Sequence, residues 1–467
     1  MLDRIVREAA RAHGDLQALV DRSGAVVTYR ALDERSDRIA AALIAAGVRE
    51  GDVVALTLPS SPDYVLAYAA ASKIGAITCG VNPRLSDEQR ARALALIEPA
   101  IIIDAEPPTK PGAPEPLASD PDRVVALVLT SGTSGEPKAA VFRERQMLAI
   151  ERMDSEAPPP GTPMLASTEF AHIGFMTRLP KHLVCGMRIH MLGRWRARDA
   201  LELIERERLP SVGGIAAQIA LLLRDPTFDE RDLSSVRLIV AGGAPSPPAL
   251  IIEARARFGA AYSVRYSMTE SGGMGTLTAP DAPDEETLHT VGRARPGVQL
   301  EIRDEDDRAL PRGETGEVCL RAPSIMSGYW RDADASERAL RGGWLHTGDL
   351  GFIDEAGCLR LAGRAKEMYI RGGYNVYPAA VERVLLDHPG VADVGVTSRA
   401  DEVMGEIGVA LVVPADHERA PSLDDLRAFA RDRLAAHELP EAIRIVRELP
   451  LNAMHKLDRR ALADLDR

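Results

Sequence analysis

The sequence predicts an α/β protein in more than one domain, and three observations lead there. Its 467 residues exceed what one hydrophobic core usually organises, and 45% apolar content can furnish a core in each of two or more units. Short β-branched runs, VVALTL (53–58), AIIIDA (100–105), VVALVLT (124–130) and RLIVAGG (237–243), alternate with helical stretches such as 197–208 and 247–258. That alternation predicts parallel sheets covered on both faces. From about residue 295 closely spaced strands (VQLEIRD, EVCLRA, CLRLAG) predict a smaller antiparallel or β-barrel-like subdomain. After Lys366, helix 379–387, strands 391–397 and 407–413, helix 423–436 and strand 442–447 predict a separate α+β domain.

Local chemistry supports the individual elements. Thr28 can cap a helix whose Leu32, Ile39 and Leu43 share one face, and Gly47 can end it before the strand at 53–58. The proline-rich segments EPPTKPGAPEP (106–116) and APPPGTP (157–163) read as extended connections. The start, MLDRIVREAARAHGD, reads as an amphipathic helix rather than a secretory signal, and no run is long enough to span a bilayer. A formal net charge of -12, from 57 basic and 69 acidic side chains, gives no general attraction to nucleic acid or anionic lipid. Cys79, Cys185, Cys319 and Cys358 lie far apart without a CxxC pair, which argues against a disulfide framework or a zinc site and for a reducing cytoplasm.

The chemistry is concentrated in a few strings. In VVALVLTSGTSGEPKAAV (124–141) a buried strand runs directly into Thr130, Ser131, Gly132, Thr133, Ser134 and Gly135, closed by Lys138. Small residues let backbone N–H groups approach phosphate oxygens, hydroxyls add donors and lysine adds charge, so this is a phosphate-handling loop. A Walker loop needs GxxxxGK[ST]; here Gly132, Gly135 and Lys138 are followed by Ala139, which excludes P-loop chemistry.

TSGTSGEPK resembles the signature of the adenylate-forming superfamily of acyl-CoA synthetases, peptide-synthetase adenylation domains and luciferases. GGAP (242–245), YSMTE (266–270), GWLHTGD (343–349), GRAKEMYIRGGYNVYP (363–378) and NAMHKLDRRAL (452–462) follow in the family's order, so the resemblance covers almost the whole chain. It implies a large N-terminal domain (1–365) of two stacked α/β sheet subdomains plus the small barrel-like one. A small, mobile C-terminal domain (366–467) carrying a catalytic lysine is implied as well. The implied reaction joins a carboxylic acid to ATP, releases pyrophosphate and passes the acyl group to a thiol.

The resemblance assigns roles residue by residue. Thr130, Ser131, Gly132, Thr133, Ser134, Gly135 and Lys138 would hold the β- and γ-phosphates, Thr269 the α-phosphate and Glu270 a Mg²⁺ ion, a hard cation suited to carboxylate oxygen. Tyr266 and the Gly242, Gly243, Ala244 turn would sandwich adenine, with Ser267 and Met268 beside them. Asp349 would bind the ribose hydroxyls with Arg364 assisting. Lys366 would be the hinge, Lys456 the catalytic lysine, and Arg371, Gly372 and Gly373 the lining of a CoA tunnel. His172, in STEFAHIGF, matches a histidine near the acyl pocket, to which Gly213, Gly214, Gly272 and Gly273 also belong. Taken alone, several of these read blandly: Tyr266 as a core aromatic, Asp349 as a turn residue, Lys456 as a solvated charge.

Three positions depart from the family pattern: Ala139 and His455 stand where glycine is usual, and Ala380 where an acid is frequent. The expected activity is that of an acyl-CoA synthetase using ATP, Mg²⁺ and CoA on a medium-sized hydrophobic acid. A stand-alone adenylation enzyme loading an acyl carrier protein is the alternative. STEFAHIG lacks the aspartate that would pair with the ammonium of an amino acid. A degenerate nucleotide sensor is disfavoured because Lys138, Glu270, Asp349 and Lys456 are all present.

Overall fold

The computed structural model describes residues 1–131, 137–153, 157–364, 367–372, 374–451 and 457–466. Gly132, Thr133, Ser134, Gly135, Lys366, Gly373 and Lys456 therefore lie outside the described residues.

The first α/β sheet runs in the order Ile101–Ile103, Val53–Leu56, Ile77–Gly80, Val124–Ser131, Pro137–Arg143. Its first four strands are parallel and the last turns back antiparallel, with Thr130 opposite Lys138. All four residues of Val53–Leu56 are buried, as a strand covered on both faces requires. The helix Tyr29–Ala45 starts where expected, with the Thr28 hydroxyl accepting the Ala31 N–H. Ala139 is wholly buried within the ladder opposite Leu129, a position where a methyl group fits.

A second sheet sets Ser211–Gly214, Leu238–Gly242 and Ala261–Tyr266 side by side in parallel. The short strands Thr276–Leu277 and Arg293–Ala294 extend it antiparallel, so neither α/β sheet is purely parallel. The register Gly214↔Ala241 and Gly242↔Arg265 brings the carboxyl ends of the three parallel strands together. Ligands in open α/β sheets bind at such carboxyl ends. A further four-stranded sheet runs Val26–Thr28, Gln17–Val20, Arg188–His190, Pro163–Leu165.

The barrel-like expectation for the region after residue 295 is corrected. Gln299–Arg303, Gly316–Arg321, Leu345–Ile353 and Leu359–Arg364 form an open antiparallel meander whose outer strands do not pair with each other. About eight strands are needed to enclose an interior just wide enough for side chains; four cannot close around one. Near the C-terminus, Tyr374–Val376, Tyr369–Arg371, Gly405–Pro414 and Val391–Asp401 form another sheet, which Ala442–Ile445 joins in parallel. Tyr369, Val376, Val381, Leu385, Val394, Val412 and Leu426 give it a core of its own. The helix expected over 423–436 stops at Ala430, where turns take over and Glu438 accepts the Ala435 N–H. Among the described residues, no helix is long and apolar enough to cross a membrane.

Gly80, at the carboxyl end of Ile77–Gly80, has no room for a side chain. A Cβ there would lie 2.3 Å from the Tyr64 hydroxyl oxygen and 2.5 Å from the Ala171 Cα. Overpacking of this kind costs typically about 1–3 kcal/mol. Gly80→Ala is therefore expected to lower the denaturant midpoint. An unchanged midpoint would show that the Ala171 backbone yields freely.

Candidate active site

The strand Ala261–Tyr266 ends in a compact turn that carries the YSMTE candidates. Gly272 N–H donates to the Thr269 carbonyl at 3.0 Å, Gly273 N–H to the Met268 carbonyl at 3.2 Å, and the Ser271 hydroxyl to the Met268 carbonyl at 2.9 Å. Gly272 and Gly273 have φ of +72° and +74°, and a Cβ on Gly272 would meet the Ser324 carbonyl at 2.5 Å. Glycine is required twice here, once by conformation and once by space. The turn aims the two ends of YSMTE in different directions.

At one end, the Tyr266 hydroxyl donates to Asp349 Oδ2 at 2.7 Å, and Arg364 Nε lies 2.8 Å from Asp349 Oδ1. Asp349 and Arg364 are cross-strand neighbours in the open meander, which explains their pairing. Burial, then the Asp349 charge, holds the Tyr266 phenol well above its usual range, so it stays a donor. For Arg364 burial opposes the charged form, but the Asp349 and Glu367 carboxylates outweigh it and the net shift is upward.

At the other end, the buried Glu270 receives the Tyr329 hydroxyl on Oε1 at 2.9 Å, and its carbonyl accepts the Met326 N–H at 2.9 Å. The Tyr329 ring lies 4.8 Å from Lys138 Nζ, within cation–π range. This contact exists because residues 327–330 run along the Pro137–Arg143 strand: Ser327 N–H donates to the Val141 carbonyl, Val141 N–H to Gly328 and Trp330 N–H to Ala139. Burial, then Glu270, pushes the Tyr329 phenol upward and keeps it protonated. Lysine, aromatic face and carboxylate are thus joined in one line.

The acyl-side candidates are each held by local contacts. Asn82 Nδ2 donates to His172 Nε2 at 3.1 Å, while Asn82 Oδ1 accepts the Arg84 N–H at 2.9 Å, which fixes the amide's orientation. The Thr177 hydroxyl reaches the carbonyls of Ile173 at 2.8 Å and Gly272 at 3.5 Å, and a Cβ on Gly273 would lie 3.8 Å from Ile173. Gln218 donates to the Ser167 carbonyl at 2.9 Å, accepts the Ile215 N–H at 3.1 Å and leaves a Cβ on Gly214 only 2.6 Å of separation. Gly213 and Gly243 are exposed at the strand ends, Ala244 is half-buried beside them, and Gly243 has φ of +79°.

The C-terminal candidates bond within their own sheet. Arg371 is ion-paired with Glu441, and Gly372, with φ of +56°, donates its N–H to the Met404 carbonyl at 2.8 Å. Arg459 binds Glu382 and lies 3.1 Å from Glu367, while Glu382 also accepts the Val396 N–H. Glu382, the acid left beside Ala380, is thereby fully engaged.

Sequence reasoning missed Tyr329 and Asn82. The signal for Tyr329 was the Gly-Tyr-Trp triplet in SIMSGYWRD; for Asn82 it was a polar residue just past a wholly buried strand.

Residues 6–330 match the family described as AMP-binding enzyme, and residues 380–456 match the AMP-binding enzyme C-terminal domain. The chain is 31% identical to the fatty acid–[acyl-carrier-protein] ligase ScoC of Streptomyces coeruleorubidus, over 94% of this chain and 92% of ScoC. It is 31% identical to a feruloyl-CoA synthase of Amycolatopsis sp, over 94% of each chain. Among solved structures, the o-succinylbenzoate CoA synthetase MenE of Bacillus subtilis, in complex with ATP and magnesium ion, superposes with a TM-score of 0.87 at 28% identity, covering 98% of this chain and 99% of MenE. With Lys138, Tyr329 and Glu270 in one line and Tyr266 bonded to Asp349, the chain belongs to the AMP-binding enzyme family, the adenylate-forming superfamily, as an AMP-forming acid–thiol ligase.

Proposed function

We propose that this enzyme activates a medium-sized, uncharged hydrophobic carboxylic acid as its acyl-adenylate and transfers the acyl group to CoA, using an N-terminal domain (1–365) and a mobile C-terminal domain (366–467). The observation that carries this reading is the pair of lines diverging from one strand end, Tyr266 to Asp349 and Glu270 through Tyr329 to Lys138. Adenylation must bring a carboxylate to a triphosphate, and that spacing of cation, metal-type carboxylate and diol-binding carboxylate suits the nucleotide.

In this reading Thr130, Ser131, Gly132, Thr133, Ser134, Gly135 and Lys138 hold the β- and γ-phosphates, and Thr269 holds the α-phosphate. The Glu270 carboxylate uses one oxygen for Tyr329 and, among the described residues, has no hydrogen bond on the other. That free hard donor fits Mg²⁺, which when bound neutralises phosphate charge. The Tyr266 ring, Ser267, Met268 and the Gly242, Gly243, Ala244 turn hold adenine, and Asp349 with Arg364 holds ribose. Lys456 meets the acid's carboxylate at the α-phosphate. After rotation about Lys366, Arg371, Gly372 and Gly373 line the path of the CoA arm.

The acid's body lies among Gly213, Gly214, Gly272, Gly273, Ile173 and His172, none of them a fixed cation or anion, which supports an uncharged group. Pyrophosphate exchange across acids of graded length is expected to peak with hydrophobic acids and to be negligible with amino acids. Strongest exchange with an amino acid or a dicarboxylate would overturn the acid assignment. Adenylation without consumption of free CoA would move the acceptor to a carrier-protein phosphopantetheine, the kind of acceptor named for ScoC.

A further inference from the structure

The Asp349 carboxylate is presented by an irregular stretch of the meander. Glu317 pairs with Leu350 and Cys319 with His346, so Val318 alone stands opposite Thr347, Gly348 and Asp349. Three residues against one throw the strand out of the ladder, and Gly348 takes φ of +72°. Such a bulge leaves backbone groups in need of partners.

Glu317 supplies them. Its Oε1 accepts the Gly348 N–H at 2.9 Å, and its Oε2 lies 2.8 Å from His346 Nδ1. From within the bulge, the Thr347 hydroxyl donates to the Val318 carbonyl at 2.7 Å and accepts the Asp349 N–H at 3.1 Å. His346 is half-buried, and its Nε2 lies 3.4 Å from Asp307 Oδ1. Thr347 and Gly348 are therefore tied down from outside the turn, and Thr347 in turn holds the Asp349 N–H.

We propose that Glu317, braced by His346, is a positioning residue for the nucleotide: it holds the bulge Thr347, Gly348, Asp349 in the shape that presents Asp349 to the ribose hydroxyls. The proposal rests on the assignment of Asp349 to ribose. Glu317, Cys319 and His346 have ligand atoms within 4.8 Å of one another, a spacing that also suits a metal ion. Arg341 Nη2, however, lies 3.3 Å from His346 Nδ1, and both Glu317 oxygens are already engaged. A bulge clamp accounts for both contacts of the Glu317 carboxylate.

The test compares kcat/KM for ATP and 2′-deoxyATP in pyrophosphate exchange. Asp349→Ala should bring the ratio of the two close to one. Glu317→Ala should raise KM for ATP about tenfold and move the ratio most of the way to the Asp349→Ala value, with KM for the acid unchanged. Glu317→Gln, which keeps an acceptor for the Gly348 N–H, should restore most of the selectivity. A role confined to stability would lower the melting temperature without moving the ratio. If Glu317→Ala does not fold, His346→Ala removes the brace and should reduce the same ratio. A parental ratio in a folded Glu317→Ala or His346→Ala, alongside a collapsed ratio in Asp349→Ala, overturns the proposal alone. A parental ratio in Asp349→Ala overturns the ribose assignment and the proposal with it.

Discussion

Lys456→Ala is expected to slow acyl-adenylate formation by about 10³-fold, in the range found when one transition-state donor is removed. Thioester formation from supplied acyl-adenylate should stay within about twofold, since charge neutralisation matters only where carboxylate meets α-phosphate. The chain on either side of Lys456 is firmly held: Leu451 bridges Leu457, Asp458 N–H donates to the Pro450 carbonyl at 2.8 Å, and Arg459 is clamped by Glu382 at the start of the helix Arg459–Asp466. Truncating the lysine should therefore leave the domain folded. Single-turnover measurements of the two half-reactions check this, and equal loss in both would remove Lys456 from the first step. Histidine reaches fewer backbone conformations than the glycine usual at position 455. His455→Gly is the natural companion variant for measuring its effect on rate.

Asp349→Ala is expected to lower kcat/KM for ATP by about 10²–10⁴-fold. Two hydrogen bonds to a charged acceptor are worth about 1.5–3 kcal/mol each, and about 1.4 kcal/mol corresponds to a factor of ten. Part of the loss comes from the protein itself, because the variant leaves the buried Tyr266 hydroxyl and the Arg364 guanidinium without their carboxylate. Asp349→Asn separates the two contributions: it retains an acceptor for Tyr266 but removes the charge facing Arg364 and the second good acceptor for the diol. The expected order of kcat/KM is parent, Asn, Ala, with the acid's KM little changed. Parental ATP kinetics in both variants would take Asp349 out of the nucleotide site.

The α/β class, the positions of most elements and the candidate strings were legible in the sequence because they depend on neighbours within a turn or two of chain. Buried runs such as Val53–Leu56 declare a strand covered on both sides, Thr28 declares a helix start, and the loop before Lys138 has the composition proposed above for a phosphate site. Resemblance then ordered the strings, including the stretch around Lys456 that local reading alone would have passed over as a tail.

What only the tertiary structure decided are relations between residues far apart in the chain. Tyr266 meets Asp349 across 83 positions and Tyr329 meets Glu270 across 59, because sheet register rather than sequence spacing brings them together. Whether the meander closed into a barrel depended on whether its outer strands found each other, which no residue pattern within a strand encodes. The bulge at Thr347, Gly348 and Asp349 arises from a mismatch between two strands, so the Glu317 and His346 clamp could not be read from either strand alone. Local periodicity and turn chemistry write the elements into the sequence; pairing register, set by the packing of the whole chain, makes a site of them.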